Sequence, residues 1–195
     1  VVRTDYAGVP QGAQVPPIGG GQDSVTLDVV LYESTSDSDA VAITWSQMLF
    51  NYAPIDEFGL EVRLDLEIVN TGDHIVTGAE ITPGPDVISE WPASVRLELP
   101  VGAFGIQPME MQDSPRYNVY SDGAIPVVED TWPLRPKQVH KITVLYYLPY
   151  SDGAVFDQAF GFPVMAGVIL LPNDTVTFSS DQFDDTGEFR YRVGS

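Results

Sequence analysis

The clearest pattern along the chain is a strict alternation over residues 60–68. Leu60, Val62, Leu64, Leu66 and Ile68 are separated by Glu61, Arg63, Asp65 and Glu67. A period of two puts the aliphatic side chains on one face of a strand and the charges on the other. Asn70-Thr71-Gly72-Asp73 follows at once and predicts a chain reversal. Val25, Leu27, Val29 and Leu31 alternate in the same way, as do Val95, Leu97 and Leu99 against Arg96 and Glu98. Residues 139–148 are rich in β-branched and aromatic side chains and are closed by Pro149, which predicts a further strand. Residues 164–171 are almost continuously apolar, the pattern of a strand covered on both faces. Thr175 to Ser179 and Glu188 to Val193 predict the last two strands, with a loop over 183–186.

Residues 40–51 are ambiguous. Ala42, Trp45, Met48 and Leu49 would line one face of a helix, whereas the Val, Ile, Thr, Trp, Phe and Tyr content favours a strand. Elsewhere no helix-length window keeps an apolar stripe free of Pro or Gly. Ser121-Asp122-Gly123-Ala124 and Ser151-Asp152-Gly153-Ala154 are two copies of an Asp-Gly turn signal. Together these patterns predict an all-β fold with about eight to eleven short strands, arranged as a two-sheet, mainly antiparallel β-sandwich of Ig-like or jelly-roll character.

Three regions follow from the composition along the chain. Residues 1–9 form an N-terminal strand too short to bury a face alone. Residues 10–24, rich in Pro, Gly and Gln, predict an extended linker. Residues 25–195 form the sandwich domain. The N-terminal strand needs a partner strand, in its own sandwich, in a preceding domain or in a neighbouring subunit. Strand addition to a neighbour would use Val1, Val2, Tyr6 and Val9 as its interface. The chain opens on Val1 rather than Met, which reads as a processed chain or a fragment.

Charge and composition narrow the functional classes. The 195 residues carry 9 Lys and Arg against 28 Asp and Glu, a net charge of −19. That balance argues against nucleic acid and anionic lipid surfaces as partners. There is no Cys and there are only two His, so thiolate chemistry, Cys-based zinc sites and a multi-His metal centre within one chain are excluded. The most apolar stretch, residues 160–172, contains Pro163 and Gly167 and is shorter than the roughly 20 residues of a membrane helix.

Few constellations carry chemistry. Calcium takes six to eight oxygen ligands, and two Asp-rich loops are candidates: Asp181 with Asp184 and Asp185, then Asp37 with Asp39. Neither has the spacing of a helix–loop–helix calcium site, and a solvated acidic loop explains both. Glu61, Asp65 and Glu67 share a strand face, as paired carboxylates of a glycoside hydrolase would, but Arg63 between them marks an ordinary wet face. His74 and His140 read as polar turn and strand residues, since no Gly-x-Ser-x-Gly elbow accompanies them. Trp45, Trp91, Trp132, Tyr146, Tyr147 and Tyr150 would suit either core packing or a sugar-stacking platform. Asn173-Asp174-Thr175 matches an N-glycosylation sequon.

Four segments carry a resemblance: Val29-Val30-Leu31-Tyr32-Glu33-Ser34-Thr35-Ser36-Asp37, Leu66-Glu67-Ile68-Val69-Asn70-Thr71-Gly72-Asp73, Leu145-Tyr146-Tyr147-Leu148-Pro149-Tyr150 and Val168-Ile169-Leu170-Leu171-Pro172. Through them the run from Val25 to Val193 resembles a β-sandwich module of bacterial envelope proteins. In that group the module often follows a carboxypeptidase-regulatory-like, transthyretin-type domain. Arg3-Thr4-Asp5-Tyr6-Ala7-Gly8-Val9 resembles the last strand of such a domain. The resemblance implies an extracytoplasmic location and a sandwich fold, and it brings no catalytic motif.

The sequence therefore points to a non-catalytic extracytoplasmic structural or adhesive module, a subunit of a cell-surface or filamentous assembly joined through its N-terminal strand. Its expected partners are further copies of itself or another envelope protein, without membrane insertion, and calcium is the one cofactor considered. A calcium-dependent carbohydrate-binding module and an accessory subunit of a membrane-bound complex are the alternatives.

Overall fold

The alternation at residues 60–70 becomes the central strand of the protein. The computed structural model describes residues 1–17, 19–20, 24–52, 58–79, 91–109, 116–151, 153–155, 157–171 and 179–184. Twelve strands lie among the described residues: β1 (Val2–Tyr6), β2 (Val9–Ala13), β3 (Ser34–Thr35), β4 (Val41–Asn51), β5 (Leu60–Asn70), β6 (Ile75–Val76), β7 (Val95–Glu98), β8 (Phe104–Pro108), β9 (Tyr117–Asp122), β10 (Ile125–Asp130), β11 (Val139–Leu148) and β12 (Gly167–Leu170). They form a five-stranded sheet in the order β12-β4-β5-β11-β8, a three-stranded sheet β7-β10-β9, and the two-stranded pairs β1-β2 and β3-β6. Pairing is antiparallel except for β12 with β4 and β3 with β6. The protein is all-β, and its two larger sheets make a sandwich.

The core is the contact between those sheets. Leu60, Val62, Leu64, Leu66 and Ile68 of β5 pack with Ile142, Val144, Tyr146 and Leu148 of β11 on the inner face of the five-stranded sheet. Val95, Leu97 and Val128 face them from the three-stranded sheet. Each fully buried aliphatic side chain contributes about 1.5–3 kcal/mol, so this inner face is what holds the layers together.

Residues 40–51 form a strand, and a bulge explains their ambiguity. Ile43 lies opposite Ile68 and Trp45 opposite Glu67, so Thr44 is an extra residue on β4. Val41 and Ile43 point inward before the bulge, and Ser46, Met48 and Phe50 point inward after it. The phase of the alternation flips within the strand and mimics helical spacing.

The predicted turn at residues 70–73 forms around the Asn70 side chain, which is 1% exposed. Its Oδ1 accepts from the Gly72 N–H at 2.9 Å, while Nδ2 donates to the carbonyls of His74 at 2.7 Å and Leu134 at 2.9 Å. The Asp122-Gly123 signal also forms a hairpin turn, with Asp122 paired to Ile125. At the second copy the Ala154 N–H closes on the Ser151 carbonyl at 2.9 Å, but no strand follows directly among the described residues.

Four expectations are corrected. Val25, Leu27 and Val29 are half-buried in alternation with exposed neighbours, yet residues 24–33 join no ladder and form no strand. Within residues 164–171 only Gly167–Leu170 is a strand, and it is the outer, partly exposed strand of the sheet rather than one covered on both faces. Residues 10–13, expected within an extended linker, belong to β2 and fold back on β1. The strands β4, β5 and β11, of 11, 11 and 10 residues, are also longer than expected. The predicted strands over 175–179 and 188–193, the sequon and Asp185 lie essentially outside the described residues.

Candidate functional site

Strand β10 ends in two adjacent carboxylates, Glu129 and Asp130, which the pleat sends to opposite faces. Asp130 is 1% exposed and sits where the inner faces of the two sheets meet. The Arg116 guanidinium reaches it from just before β9: Nε lies 2.9 Å from both carboxylate oxygens and Nη2 lies 2.5 Å from Oδ2. His140, on β11 of the opposite sheet, brings Nε2 to 2.7 Å from the same Oδ2. That nitrogen is also 2.9 Å from Arg116 Nη2. An ionised carboxylate only accepts, so the His140 Nε2–H donates to Asp130, and the two Nη2 hydrogens go to Oδ2 and to the Lys141 carbonyl at 3.0 Å rather than to the imidazole.

The cluster is closed by its neighbours. The Trp132 N–H donates to Asp130 Oδ1 at 2.9 Å. The guanidinium lies between the rings of Trp132 and Tyr117, 4.5 Å and 4.7 Å from their centroids. The Ser94 hydroxyl donates to the carbonyls of Asp130 and Trp132. Burial by itself would raise the Asp130 carboxyl, but hydrogen bonds and charge from His140 and Arg116 outweigh it and hold the group below the ordinary carboxylate range.

Glu129, on the other face, is bound as tightly. Its Oε1 accepts from the Tyr120 hydroxyl at 2.7 Å, and that oxygen accepts in turn from Arg96 Nη1 at 2.7 Å. Arg96 Nη2 donates to Asp122 at 2.8 Å.

A carboxylate that moves protons needs a lone pair facing substrate, beside a nucleophile or a second acid in a cleft. Among the described residues neither Asp130 nor Glu129 has such an arrangement. The Arg116–Asp130–His140 cluster is instead a tie between the sheets, joining β9 and β10 to β11. Sequence reasoning missed it: Arg116 and Asp130 were not singled out, and His140 read as an isolated polar strand residue. The signal present was a Glu-Asp pair ending an apolar strand in a chain with few cations.

Of the residues predicted for calcium, Asp185 lies outside the described residues. Asp37 Oδ1 accepts from the Asp39 N–H at 2.9 Å, an Asx turn that uses the side chain locally. Asp181 and Asp184 are exposed. Among the described residues no group of three or more His, Asp or Glu is placed to hold a metal. His74 is a turn residue, with Nδ1 2.5 Å from Asp73 Oδ1. The aromatic residues separate: Tyr146 is in the core, Trp132 covers Arg116, and Trp45 and Tyr147 lie on the outer face of the five-stranded sheet. A cleft of about 300 Å³, lined in part by Glu98, Ile125, Val155 and Asp157, is at the lower limit for a small-molecule pocket.

The predicted interface residues all lie on the β1-β2 hairpin. Val1, Val2 and Tyr6 are 75%, 45% and 40% exposed, whereas Val9 is 3% exposed and packs within its own chain. Gln11 beside it is buried, and its amide donates to the Tyr32 carbonyl at 2.6 Å and accepts from the Tyr32 N–H at 2.8 Å. The Ser34 hydroxyl donates to the Ala7 carbonyl at 2.7 Å. One half of the hairpin is thus seated on the body and β1 stands outside it.

No family model, curated protein or solved structure matches this chain. Among the described residues no helix is long and apolar enough to cross a membrane.

Proposed function

We propose that this protein is a non-catalytic structural module of the cell envelope that joins a neighbouring protein by strand addition at β1. The observation that carries this reading is the asymmetry of the two hairpin edges. Ala7 and Gly8 both have positive φ, 51° and 75°, which makes a two-residue turn of the primed type. In such a hairpin the flanking pair, Tyr6 and Val9, exchanges both backbone hydrogen bonds, and every second pair does so after it. Thr4–Gln11 and Val2–Ala13 are therefore the bonded pairs.

The backbone groups of Arg3 and Asp5 then point away from β2. On the other edge Pro10, paired with Asp5, has no N–H to offer, and its carbonyl accepts from Arg135 at 3.1 Å. The proline blocks β2 as an edge, and β1 remains open among the described residues. Val2, Thr4 and Tyr6 share one face of β1 and would supply side-chain contacts with the added strand. The acidic surface keeps free subunits apart in solution. The strand comes from a second copy or from another envelope protein, outside the cytoplasm.

The test is Asp5→Pro. It removes one outward N–H while leaving the β1-β2 ladder intact, whereas Thr4→Pro breaks the ladder itself. Natively isolated protein should run as an assembly by light scattering and electron microscopy, and Asp5→Pro should reduce it to single folded chains. A monodisperse single chain before substitution, or assemblies unchanged by Asp5→Pro, overturns the proposal.

A further inference from the structure

The outer face of the five-stranded sheet carries a second set of ordered polar groups, independent of the hairpin. At one end, Asn51, Glu61 and Tyr147 lie side by side on β4, β5 and β11. The Asn51 amide donates to Glu61 Oε1 at 2.8 Å and the Tyr147 hydroxyl to Oε2 at 3.1 Å. In the middle, Asp65 Oδ1 accepts from the Thr143 hydroxyl at 2.6 Å and from Arg63 Nη2 at 3.1 Å. The Gln47 amide stands 3.5 Å from Oδ2. At the far end Trp45, 39% exposed, lies opposite Glu67, which pairs with Lys141 at 2.7 Å.

Two properties separate this face from an ordinary wet sheet. The first is order. Each carboxylate is fixed by cross-strand neighbours, and a carboxylate has about four acceptor positions, so Glu61 keeps acceptor capacity after its two bonds. Tyr147 is braced by the rings of Phe104 and Phe58, 5.8 Å and 6.0 Å away. Gly105 allows that approach: it has φ +60°, and a Cβ there would lie 2.9 Å from the Tyr147 ring. The second is charge. Glu61, Asp65 and Glu67 are offset by Arg63 and Lys141, so the face is nearly neutral on a chain of net charge −19. A nearly neutral face on so acidic a chain offers little attraction to a basic partner and suits an uncharged ligand.

We propose that this face binds a neutral oligosaccharide lying along β5. The seven residues from Glu61 to Glu67 span about 20 Å, the length of a short glycan chain. Sugar hydroxyls pair with fixed planar carboxylate and amide groups, and the apolar faces of sugar rings stack on Trp45 and on the aromatic cluster at Tyr147. No ion is needed.

The test is affinity electrophoresis of the whole protein in native gels cast with a mixed-linkage β-glucan, a galactomannan or an arabinoxylan. Polygalacturonate and chitosan serve as acidic and basic controls. At least one neutral polymer should retard the protein, and Trp45→Ala and Glu61→Gln should each weaken that retention about tenfold with the melting temperature kept. Tyr147→Phe, which removes only a hydroxyl, covers the case in which another variant fails to fold. No retardation by any neutral polymer, retention by the charged polymers alone, retention unaffected by all three variants, or shortening of the bound polymer overturns the proposal.

Discussion

Asp130→Asn tests whether the buried cluster ties the two sheets together. The substitution keeps the shape of the side chain and removes its charge. Arg116, whose side chain is 5% exposed, then stays buried between Tyr117 and Trp132 without the Asp130 charge that Nε and Nη2 both reach. Breaking a buried pair from one side costs about 3–5 kcal/mol, a large fraction of the roughly 5–15 kcal/mol by which folded domains are stable. The assay is equilibrium urea unfolding followed by tryptophan fluorescence, to which Trp132 contributes from within the cluster. Arg116→Met and the double variant complete a cycle, and the double variant should lose less than the sum of the singles. The pH dependence gives a second arm. The folded Asp130 pKa is depressed, so its contribution is fully present above the ordinary carboxylate pKa. It is lost as pH falls from there through the folded value, because the unfolded chain takes up the proton first. Asp130→Asn should flatten that acid limb. A loss below about 1 kcal/mol, or strictly additive singles, would refute the argument and make the cluster an incidental surface pair.

Two further outcomes follow from the core and the bulge. The Tyr146 hydroxyl is buried with no hydrogen-bond partner among the described residues, and burial pushes its pKa well above the ordinary tyrosine value. Tyr146→Phe should therefore raise stability by about 1 kcal/mol in thermal unfolding. It should also reduce the loss of stability as pH rises past the ordinary tyrosine pKa, where only the unfolded chain ionises; a destabilised variant contradicts both. Deleting Thr44 should restore an even β4-β5 ladder and leave the inner face unchanged. The deletion should disturb the other side of β4, where the Ile43 N–H donates to the Pro163 carbonyl and Met165 donates back to Ile43. Hydrogen exchange should then show protection lost near residues 163–167 and kept in β5 and β11, and loss in β5 would sink this account.

What the sequence revealed and what it hid divide along one physical line. Alternation reports burial, and burial was legible: Leu60, Val62, Leu64, Leu66 and Ile68 face the core as their pattern requires. Pairing is a different property. Val25, Leu27 and Val29 are half-buried at every second residue, yet their backbone joins no ladder, because side-chain alternation needs only an extended chain lying on a surface. At residues 164–171 apolar content predicts two-sided burial, but the segment lies at an edge, with Met165 73% exposed. The hairpin was hidden for the opposite reason. Its turn uses Ala7-Gly8 in place of Asn-Gly, and Pro10 and Gly12 read as linker. Pro10 fits a strand only because the ladder phase asks nothing of its N–H. The inter-sheet cluster lies beyond any local rule. Arg116, Asp130 and His140 are 24 residues apart at most, but they belong to two sheets, and only the sandwich topology brings the guanidinium, the carboxylate and the imidazole to one point. The open β1 edge and the ordered outer face are also products of pairing, so the functional proposals rest on the part of the fold that periodicity does not report.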